Sequence, residues 1–252
     1  MATAPKILFI DIETFPLVTS AWGVYEANAL EILEYQPICC FSAKWQNGPH
    51  ITKALPDYPG YKPFSRDDEA MTAELWDLMN EADIVVAHNG DQYDIPLMKA
   101  RFARWGFGPT SPVMSIDTRK IAKRVFRFAS NKLDYIGDFF GIGRKVQTGG
   151  YSLWQDCMAG KEAAWKKMKV YNKADVTLLE KIYDKFLPWV PNHPNRALFD
   201  GPEACPRCGS TNSLQKRGEA RTVSRVYQRY FCKSCGGWSR GTKAHGPKVL
   251  AI

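Results

Sequence analysis

The chain has 252 residues, 45% of them hydrophobic and 24% charged, with 34 Lys and Arg against 26 Asp and Glu for a net charge of +8. That balance excludes a mostly disordered chain, and the length supports one or two domains with cores of their own. No apolar run approaches the roughly 18 residues of a membrane span. Met1–Lys6 lacks the basic, apolar and cleavage regions of a secretory signal.

Strand and helix patterns alternate along the first part of the chain. Ile7–Ile10 is a short apolar run that predicts a buried strand, with Asp11 and Glu13 following it directly. The apolar stretch Ile38–Phe41 places Cys39 and Cys40 in a core. Met71, Leu75, Leu78 and Met79 share one face of a helix predicted over 67–82. Ile84–Ala87 predicts a second buried strand, closed by the Asn89-Gly90 turn and followed by a helix over 92–105 that Asp91 would cap. Val113–Ile116 reads as a strand, and Asp117 as the N-cap of a helix to about Arg127. Further helices are expected over 132–140 and 168–186, the latter with an apolar stripe of Val170, Ala174, Leu178, Leu179, Ile182 and Phe186. Strands alternating with helices imply an α/β layered domain. Closely spaced prolines at Pro188, Pro191, Pro194 and Pro202 block helix and sheet continuation. We therefore expect a domain over 1–187, a proline-rich linker over 188–203 and a small domain over 204–252.

Three places gather acids in patterns that invite chemistry. Asp11 and Glu13, two residues apart in extended chain, project on one face and repel unless a cation lies between them. Asp94 lies in the first turn of the helix after the second strand, where a carboxylate is electrostatically favoured. His88, just before it, reads as a packing or hydrogen-bonding residue. Tyr171 and Asp175 share a helix face at i, i+4, which sets a phenol one turn from a carboxylate near the core side.

Phe9-Ile-Asp11-Ile-Glu13-Thr14, Asn89-x-x-x-Tyr93-Asp94 and Tyr171-x-x-x-Asp175 occur in this order. Together they resemble the three motifs of the DEDD 3′–5′ exonuclease superfamily, tyrosine subtype, and are similar to the proofreading exonuclease domain of family B DNA polymerases. Ser115-Ile-Asp117-Thr118 and Lys132–Ile136 leading to Phe140-Gly-Ile-Gly143 look like the stretch between the second and third motifs. The resemblance covers roughly residues 5–186. It implies a ribonuclease H-like fold, a mixed five-stranded sheet flanked by helices. It also implies two Mg²⁺ or Mn²⁺ ions held by Asp11, Glu13, Asp94 and Asp175, with Tyr171 orienting the attacking water. Thr14, Phe15 and Asn89 would contact substrate, although core packing accounts equally for Phe15. Independently of the family, oxygen-only ligands suit hard divalent ions, and two such ions about 4 Å apart suit phosphodiester hydrolysis.

The charge is concentrated at the other end. Residues 200–252 hold 10 Lys and Arg, Lys248 among them, against Asp200, Glu203 and Glu219, a net of +7 that leaves +1 for the first 199 residues. The same segment holds Cys205-Pro-Arg-Cys208 and Cys232-Lys-Ser-Cys235, each followed by glycine. Two such pairs supply four thiolates for one tetrahedral, structural Zn²⁺, the pattern of a zinc ribbon. Arg225–Phe231 has strand character, and Tyr227, Tyr230, Phe231 and Trp238 interleave with Arg225, Arg229, Lys233 and Arg240. That mixture points to nucleic acid, through Arg225 and Arg229 among others, or to a protein partner. Arg119, Lys120, Lys123, Arg124, Arg127, Lys132, Arg144 and Lys145 could likewise track phosphates or simply form exposed helix faces. Seven cysteines without a secretion signal imply a reducing, cytoplasmic setting. The expectation is a metal-dependent 3′–5′ exonuclease, DNA favoured over RNA, in a chain too short to include a polymerase. A structure-specific endonuclease and an inert binding module are the alternatives.

Overall fold

The structure, a computed structural model, describes residues 4–23, 25 and 28–246. Met1–Thr3 of the N-terminus and Lys248 of the basic tail lie outside the described residues. The described residues form two compact units, one spanning Lys6–Ile182 and one from Tyr183 to Gly246 that also takes in Ala4 and Pro5.

The larger unit carries, in chain order, β1 (Ile7–Thr14), β2 (Val18–Ser20), β3 (Glu31–Glu34), β4 (Ile38–Trp45), β5 (His50–Ala54), α1 (Glu69–Glu81), β6 (Ile84–Ala87), α2 (Asp94–Arg104), β7 (Met114–Asp117), α3 (Thr118–Val125), α4 (Leu133–Phe139), α5 (Ser152–Met158) and most of α6 (Glu162–Phe186). Five strands form one mixed sheet in the order β5-β4-β1-β6-β7. β1 is central: it pairs antiparallel with β4 and parallel with β6. A central strand covered on both faces needs apolar residues at consecutive positions, and Ile7 through Ile10 are all at most 1% exposed. β2 and β3 form a separate hairpin.

β1 runs further than the apolar run alone predicts, because its second half pairs with β4 as far as Thr14, opposite Ile38. Asp11 and Glu13 therefore lie within the strand, not after it. Burial alternates there, with Ile12 and Thr14 buried and the two acids half-buried on the other side.

α1 buries Met71, Leu75, Leu78 and Met79, the face expected from their spacing. At its N-terminus Asp68 accepts the Ile38 amide at 2.8 Å, Arg101 Nε at 2.8 Å and Trp105 Nε1 at 2.7 Å. One fully buried carboxylate, saturated by donors, thus fastens α1, α2 and β4 together. α6 begins at Glu162 instead of 168, and Val170 is 59% exposed. The buried stripe runs instead through Met168, Asn172, Asp175, Val176, Leu179, Ile182 and Phe186. This rotation sets Asp175 inside the packed face rather than at its margin.

The smaller unit holds the last turn of α6, α7 (Ala197–Asp200) and an antiparallel sheet of β8 (Leu214–Arg221), β9 (Val226–Cys232) and β10 (Trp238–His245) in the order β10-β9-β8. The stretch expected as a linker is folded. Tyr183 Oη meets His193 Nε2 at 2.8 Å, the Arg196 amide donates to Pro206 O at 3.0 Å, and Val190 is 4% exposed. The prolines shape turns there without detaching the chain from its neighbours.

Candidate metal centres

Asp11, Glu13 and Asp175 each offer a carboxylate oxygen within 4.8 Å of the other two. β1 presents the first pair and α6 the third. Asp94 joins from the first turn of α2, where its Oδ1 accepts the Ile12 amide at 3.2 Å. That bond ties the start of α2 to the middle of β1. The turn between β6 and α2 needs Gly90, since a Cβ there would stand 2.3 Å from the Ala87 Cβ. Tyr93 occupies the helix N-cap position, so Asp91 does not cap α2. Asp91 instead accepts from Ser115 Oγ and, at 2.7 Å, from Lys120 Nζ.

Asp117 caps α3 as expected, accepting Arg119 N at 2.9 Å and Lys120 N at 3.2 Å, and it also accepts the Asn89 amide at 3.0 Å. Its carboxylate holds the turn that positions Asp94. Asn89 takes a left-handed φ of 70° and accepts Arg119 Nη1 at 2.8 Å. His88 packs as a hydrogen-bonding residue, its Nδ1 2.9 Å from Thr118 Oγ1 and its Nε2 3.0 Å from Asn131 O.

Two residues of this site escaped the sequence reading. Asn172 is fully buried and donates to Asp11 Oδ2 at 2.6 Å, which fixes that carboxylate's orientation. A polar residue three positions before Asp175, in an otherwise apolar stripe, was the available signal. By sequence Lys145 belongs with cations that could track phosphate or form exposed helix faces, but its Nζ pairs with Asp175 and lies 3.2 Å from Tyr171 Oη. Nothing in its local sequence announces that, because the contact joins a loop to α6 across 30 positions. Arg119, Lys120 and Arg144 are likewise engaged, by Asn89, Asp91 and Asp138.

The expected substrate contacts divide. Thr14 Oγ1 lies 2.9 Å from Tyr93 Oη and accepts Gln36 Nε2 at 2.6 Å. Phe15 is 1% exposed, with its ring 5.8 Å from that of Trp165, so it is a core residue. An open concavity of about 430 Å³ is lined by Thr14, Pro16, Thr148, Gly150, Tyr151 and Trp154, and reaches the strand of the acids through Thr14, next to Glu13. Trp154 packs edge-on against Tyr171 at 6.3 Å.

The electrostatics are those of a site short of positive charge. The Asp11 carboxyl titrates well above the ordinary range, chiefly through burial, with repulsion from Asp94, Glu13 and Asp175 added and Lys145 opposing. Burial raises Glu13 to about 8, against the attraction of Lys145. Asp94 is pushed up to about 6, again first by burial, while the Ile12 amide pulls it down. Burial also raises Asp175, and Lys145 holds it back. One ammonium does not balance four clustered carboxylates, two of them buried and two half-buried. Asp175 Oδ1 is, moreover, buried without a hydrogen-bond partner. A hard divalent cation fits both observations, because it satisfies an orphaned oxygen and offsets the repulsion.

The second cluster is built from sulfur. The Sγ atoms of Cys205, Cys208, Cys232 and Cys235 all lie within 4.8 Å of one another, with Cys205–Cys235 at 3.8 Å and Cys208–Cys232 at 3.7 Å. Four sulfurs at the usual Zn–S distance form a tetrahedron with edges of about 3.8 Å. Each knuckle closes through glycine: Gly209 N donates to Cys205 O and Gly236 N to Cys232 O, both at 2.9 Å. Gly209 has a φ of 73°, and a Cβ there would stand 2.2 Å from Asp200 Oδ2. Arg225 lies in the turn between β8 and β9, where its carbonyl accepts the Thr222 amide. Arg229 projects from β9 and is exposed.

A search of curated proteins found no match. Among solved structures, the family B DNA polymerase from the hyperthermophilic archaeon Pyrobaculum calidifontis is similar, with a TM-score of 0.54 and 18% identity over 73% of this chain. The matched part is 25% of that polymerase chain, and at this identity the likeness is one of fold. A family model described as RNase H superfamily matches residues 8–187. That span takes in the mixed sheet from the second residue of β1 onward and all four carboxylates, and the chain belongs to the RNase H superfamily.

Proposed function

We propose that this protein is a metal-dependent 3′–5′ exonuclease that hydrolyses phosphodiester bonds of nucleic acid, DNA in preference to RNA. The observation that carries the reading is the convergence of half-buried Asp11 and Glu13 with buried Asp94 and Asp175, with an orphaned oxygen on Asp175 and Tyr171 one helical turn away. The resemblance of the three sequence motifs to the DEDD exonucleases, tyrosine subtype, supports the direction of attack. The four acids would hold two Mg²⁺ or Mn²⁺ ions, which supply charge neutralisation and water activation when bound.

The chain's own groups have definable parts in such a reaction. Asn172 holds one Asp11 oxygen at 2.6 Å, leaving the other free of that bond. Burial, then Glu13 and Asp175, raise the Tyr171 pKa above the ordinary phenol value, so the phenol keeps its proton at neutral pH. It can donate a hydrogen bond to an incoming water or a phosphate oxygen, and it is not the base. Lys145 is held protonated: burial lowers its pKa, and Asp175, Tyr171 and Asp11 more than reverse that. With four acids at −4 and Lys145 at +1, two divalent ions would bring the site to +1, favourable to a phosphodiester. The open concavity lined by Thr14, Tyr151 and Trp154 would receive the terminal nucleoside. The Cys205, Cys208, Cys232 and Cys235 cluster would hold one structural Zn²⁺, and its thiols call for a reducing compartment.

The test is polarity of digestion. Oligonucleotides labelled at the 5′ end should shorten stepwise with Mn²⁺, while the same strands labelled at the 3′ end should release mononucleotide first. A single internal cut from both labels would support the endonuclease alternative and end this reading.

A further inference from the structure

The ribbon sheet has two faces, and Cys232, the one cysteine within its strands, lies on one of them. On β9, Cys232 and Phe231 point to opposite sides because successive side chains alternate. Residues directly opposite each other in an antiparallel pair share a side. The pairs Phe231 with Trp238, Arg229 with Arg240, and Tyr227 with Ala244 therefore put Tyr227, Arg229, Phe231, Trp238 and Arg240 in one row on the face away from Cys232. The row alternates aromatic ring and guanidinium. The Arg229 guanidinium lies 5.0 Å from the Trp238 ring centre, and that of Arg240 lies 4.3 Å from the Tyr227 ring centre. Arg229 is also fixed by its Nε, which donates to Arg217 O at 2.8 Å. Trp238 remains 49% exposed and packs 5.1 Å from Phe231.

Charge selects the occupant. From residue 204 to 246 the sequence holds one acid, Glu219. It is engaged by Arg221 at 2.6 Å and lies 3.6 Å from His245, so it does not neutralise this row. Cations already stacked on aromatic rings, on a face without acids, match a ligand with flat rings and a regularly spaced anionic backbone. A duplex shows its bases only edge-on within grooves and offers no ring faces for stacking.

We propose that the Tyr227–Arg229–Phe231–Trp238–Arg240 face is a binding platform for single-stranded nucleic acid, with bases stacking on Trp238 and phosphates meeting Arg229 and Arg240. The choice of ligand class rests on the nuclease reading; the residues rest on the strand register and the two cation–π contacts.

Fluorescence anisotropy of the full-length, zinc-loaded protein, without added Mg²⁺ or Mn²⁺, tests it. The probes are labelled oligo(dT), oligo(rU) and a blunt duplex of equal length. Wild type should bind a single strand at least about tenfold tighter than the duplex, and the tighter of the two strands identifies the sugar. Trp238→Ala should weaken single-strand binding at least about fivefold, with Trp238→Phe retaining most of it. Arg229→Gln and Arg240→Gln should each reduce the slope of log affinity against log salt by about 0.7. Metal analysis should still find zinc in each variant; if Trp238→Ala loses it, the two arginine variants carry the test. Duplex preferred over single strands, or unchanged affinity and salt slope in zinc-loaded variants, would overturn the assignment. Failure of the nuclease reading shows separately, as absent digestion by wild type with Mn²⁺.

Discussion

The carboxylate cluster stands on a sheet with a deep apolar core, in which Phe9, Phe41, Met71 and Leu75 are fully buried, while the ribbon sheet buries little besides its ligands. From residue 204 on, the buried described residues are Ala204, Cys205, Ser213, Cys232 and Gly237. The larger unit can fold first and then hold ions at a site whose acids repel one another. The ribbon lacks the apolar area to do so and, on the proposed zinc reading, would draw its folding energy from the metal. The same word, metal site, thus covers a fold that supports an ion and an ion that supports a fold.

Stripping zinc is the strongest way to break that contrast. A chelator, or Cys205→Ser with Cys208→Ser, should unfold the ribbon, since structural zinc contributes about 10–16 kcal/mol in small domains. Circular dichroism should then lose the ribbon strands while the larger unit keeps its cooperative thermal transition. A core truncation should do the reverse. Phe41→Ala is expected to cost the larger unit about 3–5 kcal/mol in denaturant melts, with zinc content unchanged.

The acid cluster gives a subtler test. Lys145→Met removes the cation paired with Asp175 and should cost the metal-free protein about 2 kcal/mol. A fully buried pair would cost more, but the Lys145 side chain is 32% exposed and partly screened. Mn²⁺ should recover more of the melting temperature in the variant than in wild type, because more uncompensated charge awaits it.

One part of the pH dependence of the larger unit comes from His88, which burial lowers from 6.5 to about 4 against the pull of the Asn131 carbonyl. The raised carboxylates of the acid cluster act in the opposite direction and are common to wild type and the His88 variant. The folded pKa of His88 lies below its unfolded one, so the unfolded chain binds the proton more readily. The contribution is fully present above pH 6.5 and is lost as pH falls toward 4, at most about 3 kcal/mol. Unfolding of wild type and His88→Gln at pH 7.5 and pH 5 should differ by less at the lower pH. The ribbon, which does not contain this residue, should contribute nothing to that difference.

Most of the sheet was legible because its central strands are continuous apolar runs, Ile7–Ile10 and Ile84–Ala87, and because α1 and α2 follow the helical period. The second half of β1 was not, since alternation of Asp11, Ile12, Glu13 and Thr14 becomes a strand only through pairing with β4. Val170 misled the reading of α6 because hydrophobicity alone did not fix the helix's rotation; Asn172 and Asp175, both polar, occupy the buried face. Asp91 resembled a cap in sequence, and only the folded turn shows Ser115 and Lys120 claiming it. The cysteine cluster was legible from spacing alone, since two short pairs with trailing glycines constrain their own geometry.

The central claim is that the four carboxylates form a working phosphodiesterase site. It is tested most directly by the Mn²⁺-dependent digestion of a 5′-labelled single strand by wild type and by Asp11→Asn with Asp175→Asn. The account predicts stepwise shortening by wild type, and a loss of at least about a hundredfold in the variant. Undiminished digestion by the double variant would contradict it.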